Sequence, residues 1–206
     1  MSDVPSRWRA SPTRLARLLL GLVLFGAGDG LLVHSALGNS PWTVLAEGLA
    51  GQVGAAVGTT TIVVSFLILL AWIPLHQRPG LGTIANAVVI GLMIDLTLGL
   101  LGARTDALGL RVLEVAGAIA LVSVGSGLYL TARLGPGPRD GLMTGLAAVT
   151  GRSIRLTRSA IELSACAAGV ALGGTLGLGT LAFALLIGPG VQLALGQLGA
   201  LGVADL

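Results

Sequence analysis

The segment LARLLLGLVLFGAGDGLLVHS, residues 15–35, decides the class of fold. It is long enough for one helix to cross the hydrocarbon core of a bilayer, which takes about 20 residues. The rest of the chain has the same character. Of its 206 residues, 54% are hydrophobic and only 10% are charged, whereas about a quarter are charged in soluble domains. This composition excludes a soluble globule, a disordered chain and a nucleic-acid-binding domain, and it predicts an integral membrane protein.

Six stretches are long enough to span a bilayer, and two further apolar stretches are shorter. The predicted spans are residues 15–35, 59–75, 83–101, 113–131, 156–172 and 178–196. The shorter stretches, Pro41–Val53 and Pro138–Thr150, are predicted to form re-entrant or interfacial helices. The sequence therefore predicts an all-α, polytopic transmembrane bundle that forms a single domain over residues 1–206.

The cationic residues indicate an orientation. All twelve are arginines, and they lie mainly at segment ends. If the N-terminus is cytoplasmic and there are six spans, ten arginines fall inside and only Arg104 and Arg111 fall outside. Because positive charge favours the cytoplasmic side, this distribution predicts that both termini are cytoplasmic. The single cysteine, Cys166, excludes an intramolecular disulfide and a thiolate metal cluster.

The chain repeats itself at an offset of 97 residues. The tetrapeptide GLGT at residues 80–83 recurs at residues 177–180, and the pattern LGxxP at residues 37–41 recurs at residues 134–138. The copies cover about residues 14–102 and 111–199. Three spans in each copy is an odd number, so the copies are predicted to be inverted relative to each other. Inverted repeats are typical of secondary transporters, although channels and some enzymes also have them.

Each copy has a corner before its short helix that is suited to ligand binding. In the first copy, Asn39 and Ser40 precede a helix that begins with proline; in the second, Arg139 and Asp140 lie in its first turn. A helix N-terminus attracts anions through its free N–H groups. We therefore expect these four residues to frame a solute site. The alternative is an ordinary interfacial corner anchored by Trp42.

Acidic residues inside predicted spans are further candidates, because an ionisable group there is costly and usually faces a partner or a cavity. Asp29 has no cation nearby in sequence, so it is predicted either to pair across helices or to carry a proton. Glu162 follows Arg158 by one turn, which favours an ion pair. Asp95 is close enough to a span end to reach the interface, and Glu47 faces either a cavity or water.

Several motifs together resemble one bacterial family. They are LGNSPW at residues 37–42, IPLHQRPGLGT at 73–83, GLY at 127–129, GPGPRDGLM at 135–143, GLGT at 177–180 and IGP at 187–189. This combination resembles the YczE-like branch of the YczE/YyaS/YitT integral membrane proteins. The resemblance implies a multi-pass protein of the bacterial inner membrane, and it implies no catalytic residues.

The leading functional hypothesis is a small secondary transporter or exporter of a small solute, with anionic solutes as candidates. The candidate binding residues are Asp29, Asn39, Ser40, Arg139, Asp140 and Glu162. The alternative is a membrane scaffold or accessory subunit that transports nothing. The sequence has no nucleotide-binding loop, metal-ligand cluster or catalytic constellation, so no enzymatic activity, cofactor, metal or nucleic acid is predicted. The expected partners are the lipid bilayer, a solute and a second copy of the chain in a homodimer.

Overall fold

The computed structural model describes residues 7–202, and every regular element in that range is a helix. The expected cytoplasmic termini, residues 1–6 and 203–206, lie outside the described residues. A single chain is described, so the expected homodimer stays a prediction. The eight helices are α1 (Pro12–Ser35), α2 (Pro41–Val53), α3 (Val57–Ala71), α4 (Leu81–Leu101), α5 (Leu108–Thr131), α6 (Pro138–Thr150), α7 (Ile154–Ala171) and α8 (Leu178–Ala200).

Four of these helices, α1, α4, α5 and α8, are long and apolar enough to cross a membrane. The helices α2 and α3 bend by 112° at a short break and count as a fifth span if they are taken together. The remaining two helices, α6 and α7, form a more polar pair, because α7 carries Arg155, Arg158 and Glu162. Length and composition therefore support four or five spans, where the sequence predicted six. The bounds predicted for the two short helices coincide with α2 and α6.

The centre of the bundle is an antiparallel crossing of α1 and α5 at which glycines bring the two backbones together. A Cβ atom at Gly21 would lie 2.7 Å from the carbonyl oxygen of Gly125, and one at Gly28 would lie 2.8 Å from that of Ala118. As α1 advances by seven residues, its contact on α5 moves back by seven, so the helices run in opposite directions. Such close backbone contact is how helices associate inside a membrane, where burial of apolar surface gives little driving force.

Each of these central helices has a parallel neighbour. Along α1, Gly26 packs against Met93 of α4; along α5, Gly127 packs against Ala194 of α8. Met93 follows Gly26 by 67 residues, and Ala194 follows Gly127 by the same number. The α1–α4 pair and the α5–α8 pair therefore pack in the same register. The outer faces of α4 and α8 expose leucines, among them Leu100 at 78% and Leu185 at 65%. A surface of this kind fits the acyl chains of a bilayer.

Corresponding features of the two halves lie 97 residues apart, and we call two such positions mates. Three pairs of helices begin at mates: α2 and α6, α3 and α7, and α4 and α8. The corner glycines Gly38 and Gly135 are mates, and both have a φ of 116°, a value that L side chains rarely adopt. Each corner also receives a backbone bond from the other half: Gly82 donates to Leu134 O at 2.8 Å and Gly179 donates to Leu37 O at 2.7 Å.

Two arginines close the ends of the central crossing, and they are mates as well. Arg14, at the start of α1, donates to the carbonyl oxygens of Ala132 and Arg133 at the end of α5, both at 2.9 Å. Arg111, near the start of α5, donates to Ser35 O at 2.6 Å and to the next carbonyl at 2.9 Å. These bonds satisfy carbonyls that the last turn of a helix leaves free. Each half therefore caps the first helix of the other.

We expect Arg14→Gln and Arg111→Gln each to destabilise the protein by about 1–3 kcal/mol, because each removes charged donors from carbonyls at a helix end. The measurement is thermal unfolding of the detergent-solubilised protein. Arg155→Gln is the control, since Arg155 is exposed on α7 and forms no hydrogen bond to the described residues. Equal unfolding temperatures for all three variants would contradict the capping role.

Candidate functional site

A cavity of about 430 Å³ lies between the two halves, and all eight helices contribute to its wall. Seven pairs of mates face it from both halves: Phe25 and Val122, Ser40 and Gly137, Trp42 and Arg139, Thr61 and Arg158, Ser65 and Glu162, Asn86 and Phe183, and Ile90 and Ile187. The cavity therefore lies where the two halves meet. Its size is within the range of small-molecule sites.

The two halves give the cavity different chemistry. The charged lining residues all come from the second half: Arg139 and Asp140 in the first turn of α6, and Arg158 and Glu162 on α7. The mates of three of them are uncharged lining residues of the first half, namely Trp42, Thr61 and Ser65. The second half thus contributes two cations and two carboxylates, whereas the polar groups from the first half are three hydroxyls, the amide of Asn86 and the indole of Trp42.

The charged part of the wall is held by contacts with the opposite half. The guanidinium of Arg139 lies over the ring of its mate, Trp42, 5.5 Å from the centroid, which is within the range of a cation–π contact. The start of α6 is fixed by Trp72 of α3, whose indole N–H donates to Pro138 O at 3.0 Å. The N-terminus of α6 and the side chain of Arg139 therefore face the same cavity, an arrangement that suits an anionic group.

The predicted pairing of Glu162 is confirmed. Arg158 Nε donates to Glu162 Oε1 at 2.9 Å, and both side chains remain partly exposed on the cavity wall. A pair at this spacing on an exposed helix face contributes little to stability. The pair therefore presents both a cation and a carboxylate to the cavity without contributing much to the stability of the fold.

One predicted site residue, Asp29, lies behind the cavity wall and is connected with another, Ser40, which is part of that wall. Ser40 lines the cavity, and its hydroxyl bonds the hydroxyl of Thr43 at 2.8 Å. Thr43 in turn lies 3.5 Å from a carboxylate oxygen of Asp29. Asp29 is fully buried, and its other oxygen has no hydrogen-bond partner among the described residues. Neither Arg139 nor Arg158 forms a salt bridge with Asp29.

Asn39 lies outside the cavity wall and belongs to a different cluster. Its side-chain amide donates to Glu47 at 2.8 Å, and its backbone N–H donates to Thr175 O at 3.1 Å. Glu47 also accepts from the backbone N–H of Thr175 at 2.6 Å and from its hydroxyl at 3.1 Å. The carboxylate of Glu47 thus ties α2 to the loop between α7 and α8. From the sequence, Glu47 was expected to face either a cavity or water, and neither alternative included this contact with the loop.

Asp95 also has a partner that its sequence position did not reveal. Its carboxylate accepts from the N–H groups of Gly58 and Thr59 at 2.6 and 2.8 Å, and from the Thr59 hydroxyl at 3.0 Å. Asp95 therefore caps the N-terminus of α3 from a neighbouring helix. A cap supplied from 36 residues away gives none of the local spacing by which a capping residue is recognised in sequence.

Sequence reasoning also missed several lining residues. Asn86 and Tyr129 face the cavity from α4 and α5, and Gln192 faces it from α8. Each is one of a few polar residues in a predominantly apolar helix. Their polarity is a weak signal that could have been used, because polar groups in spans usually face a cavity or a partner.

We expect Glu47→Ala to cost about 1–3 kcal/mol of stability, because it leaves the donors of Asn39 and Thr175 without their acceptor. Thermal unfolding of the solubilised protein tests this. Asp106→Ala is the control, since Asp106 is exposed in the loop between α4 and α5 and forms no hydrogen bond to the described residues. The assigned role is wrong if the two variants unfold at the same temperature.

Comparison with known proteins places this chain among membrane proteins. Residues 12–195 match DUF6198, a family of unknown function. An uncharacterized protein of Haemophilus influenzae is 44% identical over 187 residues, which is 91% of this chain and 85% of that protein. The uncharacterized membrane protein YczE of Bacillus subtilis is 33% identical over 180 residues, covering 86% of this chain and 83% of YczE. YyaS of the same organism is 25% identical over 165 residues, covering 79% and 82%.

No solved structure matches the chain significantly. The family match and the relatives cover nearly all of the helices, and the candidate spans agree with the description of YczE as a membrane protein. The protein is therefore a multi-pass integral membrane protein, and it belongs to the DUF6198 family as a YczE-like member.

Proposed function

We propose that the protein is a secondary transporter that carries a small polar solute across the bacterial inner membrane without changing it chemically. The observation that carries this proposal is the cavity, because seven pairs of mates line it from both halves. A solute site at the interface between two repeats is the arrangement that lets a transporter open alternately to the two sides.

We further propose that the halves are inverted repeats of three crossings each. The antiparallel contact of α1 with α5, which are corresponding helices, favours inversion. In the first half, α2 and α3 form one broken crossing between α1 and α4. Since α6 and α7 begin at the mates of α2 and α3, they make the sixth crossing despite their greater polarity. Non-helical backbone at membrane depth is tolerated where it lines a cavity.

The orientation follows from the arginines, with both termini in the cytoplasm. Arg14 and Arg111 each cap a helix, so neither is a free topological signal. Arg139 and Arg158 line the cavity, and the other arginines favour a cytoplasmic N-terminus by seven to one, with only Arg104 on the opposite side.

The proposed solute carries an anionic group that binds Arg139 and the N-terminus of α6. Arg139 lies over Trp42, and Arg158 is the second cation on the wall. Asp140 and Glu162 provide acceptors for a cationic or hydroxyl group of the same solute. Small dicarboxylates, inorganic phosphate and amino acids are therefore suitable probes.

Inversion of the halves predicts opposite labelling of two mates. Val53 and Thr150, the last residues of α2 and α6, are both exposed. In a Cys166→Ala background, we expect a membrane-impermeant thiol reagent to label Val53→Cys only from outside intact cells. It should label Thr150→Cys only in inverted vesicles. Labelling of both from the same side would show that the halves are parallel.

We expect succinate, phosphate or alanine to raise the unfolding temperature of the wild-type protein, and Arg139→Gln to remove the effect while the variant still folds. Arg155→Gln, which changes an arginine outside the cavity, should keep the response. Flux of the stabilising probe into proteoliposomes then tests transport. Stabilisation that survives Arg139→Gln would contradict the site, and the lack of both binding and flux would favour a membrane scaffold.

A further inference from the structure

The second half contributes more residues to the cavity wall than the first half does. Apart from the seven pairs of mates, nine residues line it, and eight of them belong to the second half. Only Pro41 belongs to the first half. The mates of those eight residues are therefore missing from the wall. For example, Ser126 and Asp140 line the cavity, whereas their mates Asp29 and Thr43 are both fully buried.

We propose that Asp29 is a proton-binding site that is sealed in this conformation and reaches the cavity when the two halves exchange their arrangements. In the exchanged conformation, Asp29 and Thr43 line the cavity and Asp140 is buried. The proposal rests on the inverted repeats of the proposed function. Two halves with the same helices and the same packing register have two such arrangements available, each the counterpart of the other.

At these two pairs of mates, each half has one carboxylate and one hydroxyl, and the helix that carries the carboxylate differs between the halves. In the first half, the carboxylate is on α1 and the hydroxyl of Thr43 is on the short helix α2. In the second half, the hydroxyl of Ser126 is on α5 and the carboxylate of Asp140 is on the short helix α6. Exchange of the halves therefore buries one carboxylate as it exposes the other.

The surroundings of Asp29 disfavour its charge while it is sealed. Its contact with Thr43 is long, at 3.5 Å, and its second oxygen has no partner among the described residues. Burial of an ionised carboxylate without close hydrogen bonds or a salt bridge is costly. A proton on Asp29 removes that cost, so the sealed group is expected to hold one.

The charged groups near Asp29 are few. Arg139 of α6 interacts with it electrostatically without forming a salt bridge. The residues that α4 and α5 place against its flanking glycines, including Thr97 and Ala118, are uncharged. Further along α1, His34 bonds Glu114 of α5 at 2.9 Å. Arg139, which we assign to the solute, is therefore also the cation that senses the protonation of Asp29.

A short chain of hydroxyls connects this site with the cavity. Ser40 lines the cavity and bonds Thr43, and Thr43 lies beside Asp29. A proton taken from water in the cavity forms an O–H bond on the carboxylate, with each hydroxyl passing one proton and receiving another. In the exchanged conformation, the same bond breaks and the proton returns to water on the other side.

The first test detects the proton directly. Infrared difference spectra of the solubilised wild-type protein, recorded as the pH is raised to neutral, should show the carbonyl band of a carboxylic acid that stays protonated after exposed carboxyl groups have ionised. We expect Asp29→Asn to remove that band and Asp106→Asn, a matched change at an exposed acid, to leave it. A band that persists in Asp29→Asn, or the absence of any band from the wild type, would overturn the proton site.

The second test uses thiol labelling to measure whether the two halves exchange their arrangements. Ala46 and Met143 are mates; both are buried, but Met143 lines the cavity and Ala46 does not. In a Cys166→Ala background, cysteines at these positions react with a small thiol reagent according to the population of each conformation. Asp29→Asn lowers the cost of the sealed state, so we expect labelling of Met143→Cys to rise and that of Ala46→Cys to fall, by up to about tenfold. Asp140→Asn should do the reverse.

Shifts in the same direction, or no shift, would overturn the exchange. Both tests are independent of solute flux. If they succeed and no probe is transported, the proton site stands and the proposed transport fails. If a probe is transported and the tests fail, only the inference about Asp29 is lost.

Discussion

The contact between the glycine faces of α1 and α5 forms the centre against which the other two long helices, α4 and α8, pack. Inside a membrane, two helices gain little by excluding apolar surface from water, so close van der Waals packing must hold them together. Gly21, Gly28 and Gly125 allow that approach, and a Cβ atom at any of them would clash with backbone. The parallel neighbours α4 and α8 then pack at equal register on the two central helices. The short helices close the space that remains, which is the cavity.

Much of the helical framework could be predicted from the sequence, because its signals are local. The proline that begins each short helix and the glycine that follows it mark α2 and α6 at their observed bounds. The offset of 97 residues is visible in the motifs alone. The number of spans was harder to predict, because α3 is short and α7 carries three charges, so neither meets a simple length and composition criterion.

The partners of polar residues could not be predicted in the same way. From the sequence, Arg14 and Arg111 were interpreted as charges that set the membrane orientation. In the structure, each donates hydrogen bonds to carbonyl oxygens more than 70 residues away. Glu47 and Thr175 are separated by 128 residues. These contacts depend on how the two halves pack, which no local spacing encodes. The one polar pair predicted with its partner, Arg158 with Glu162, lies within a single helix turn.

The reciprocal arginine caps have a consequence for how such a chain is put together. Each half leaves carbonyl oxygens free at the end of its first helix and carries the arginine that bonds those of the other half. Two separate halves would therefore complete each other without the loop at residues 102–107 that joins them. In this respect the molecule resembles a dimer whose two subunits are joined in one chain, and the joining loop keeps the two in equal number.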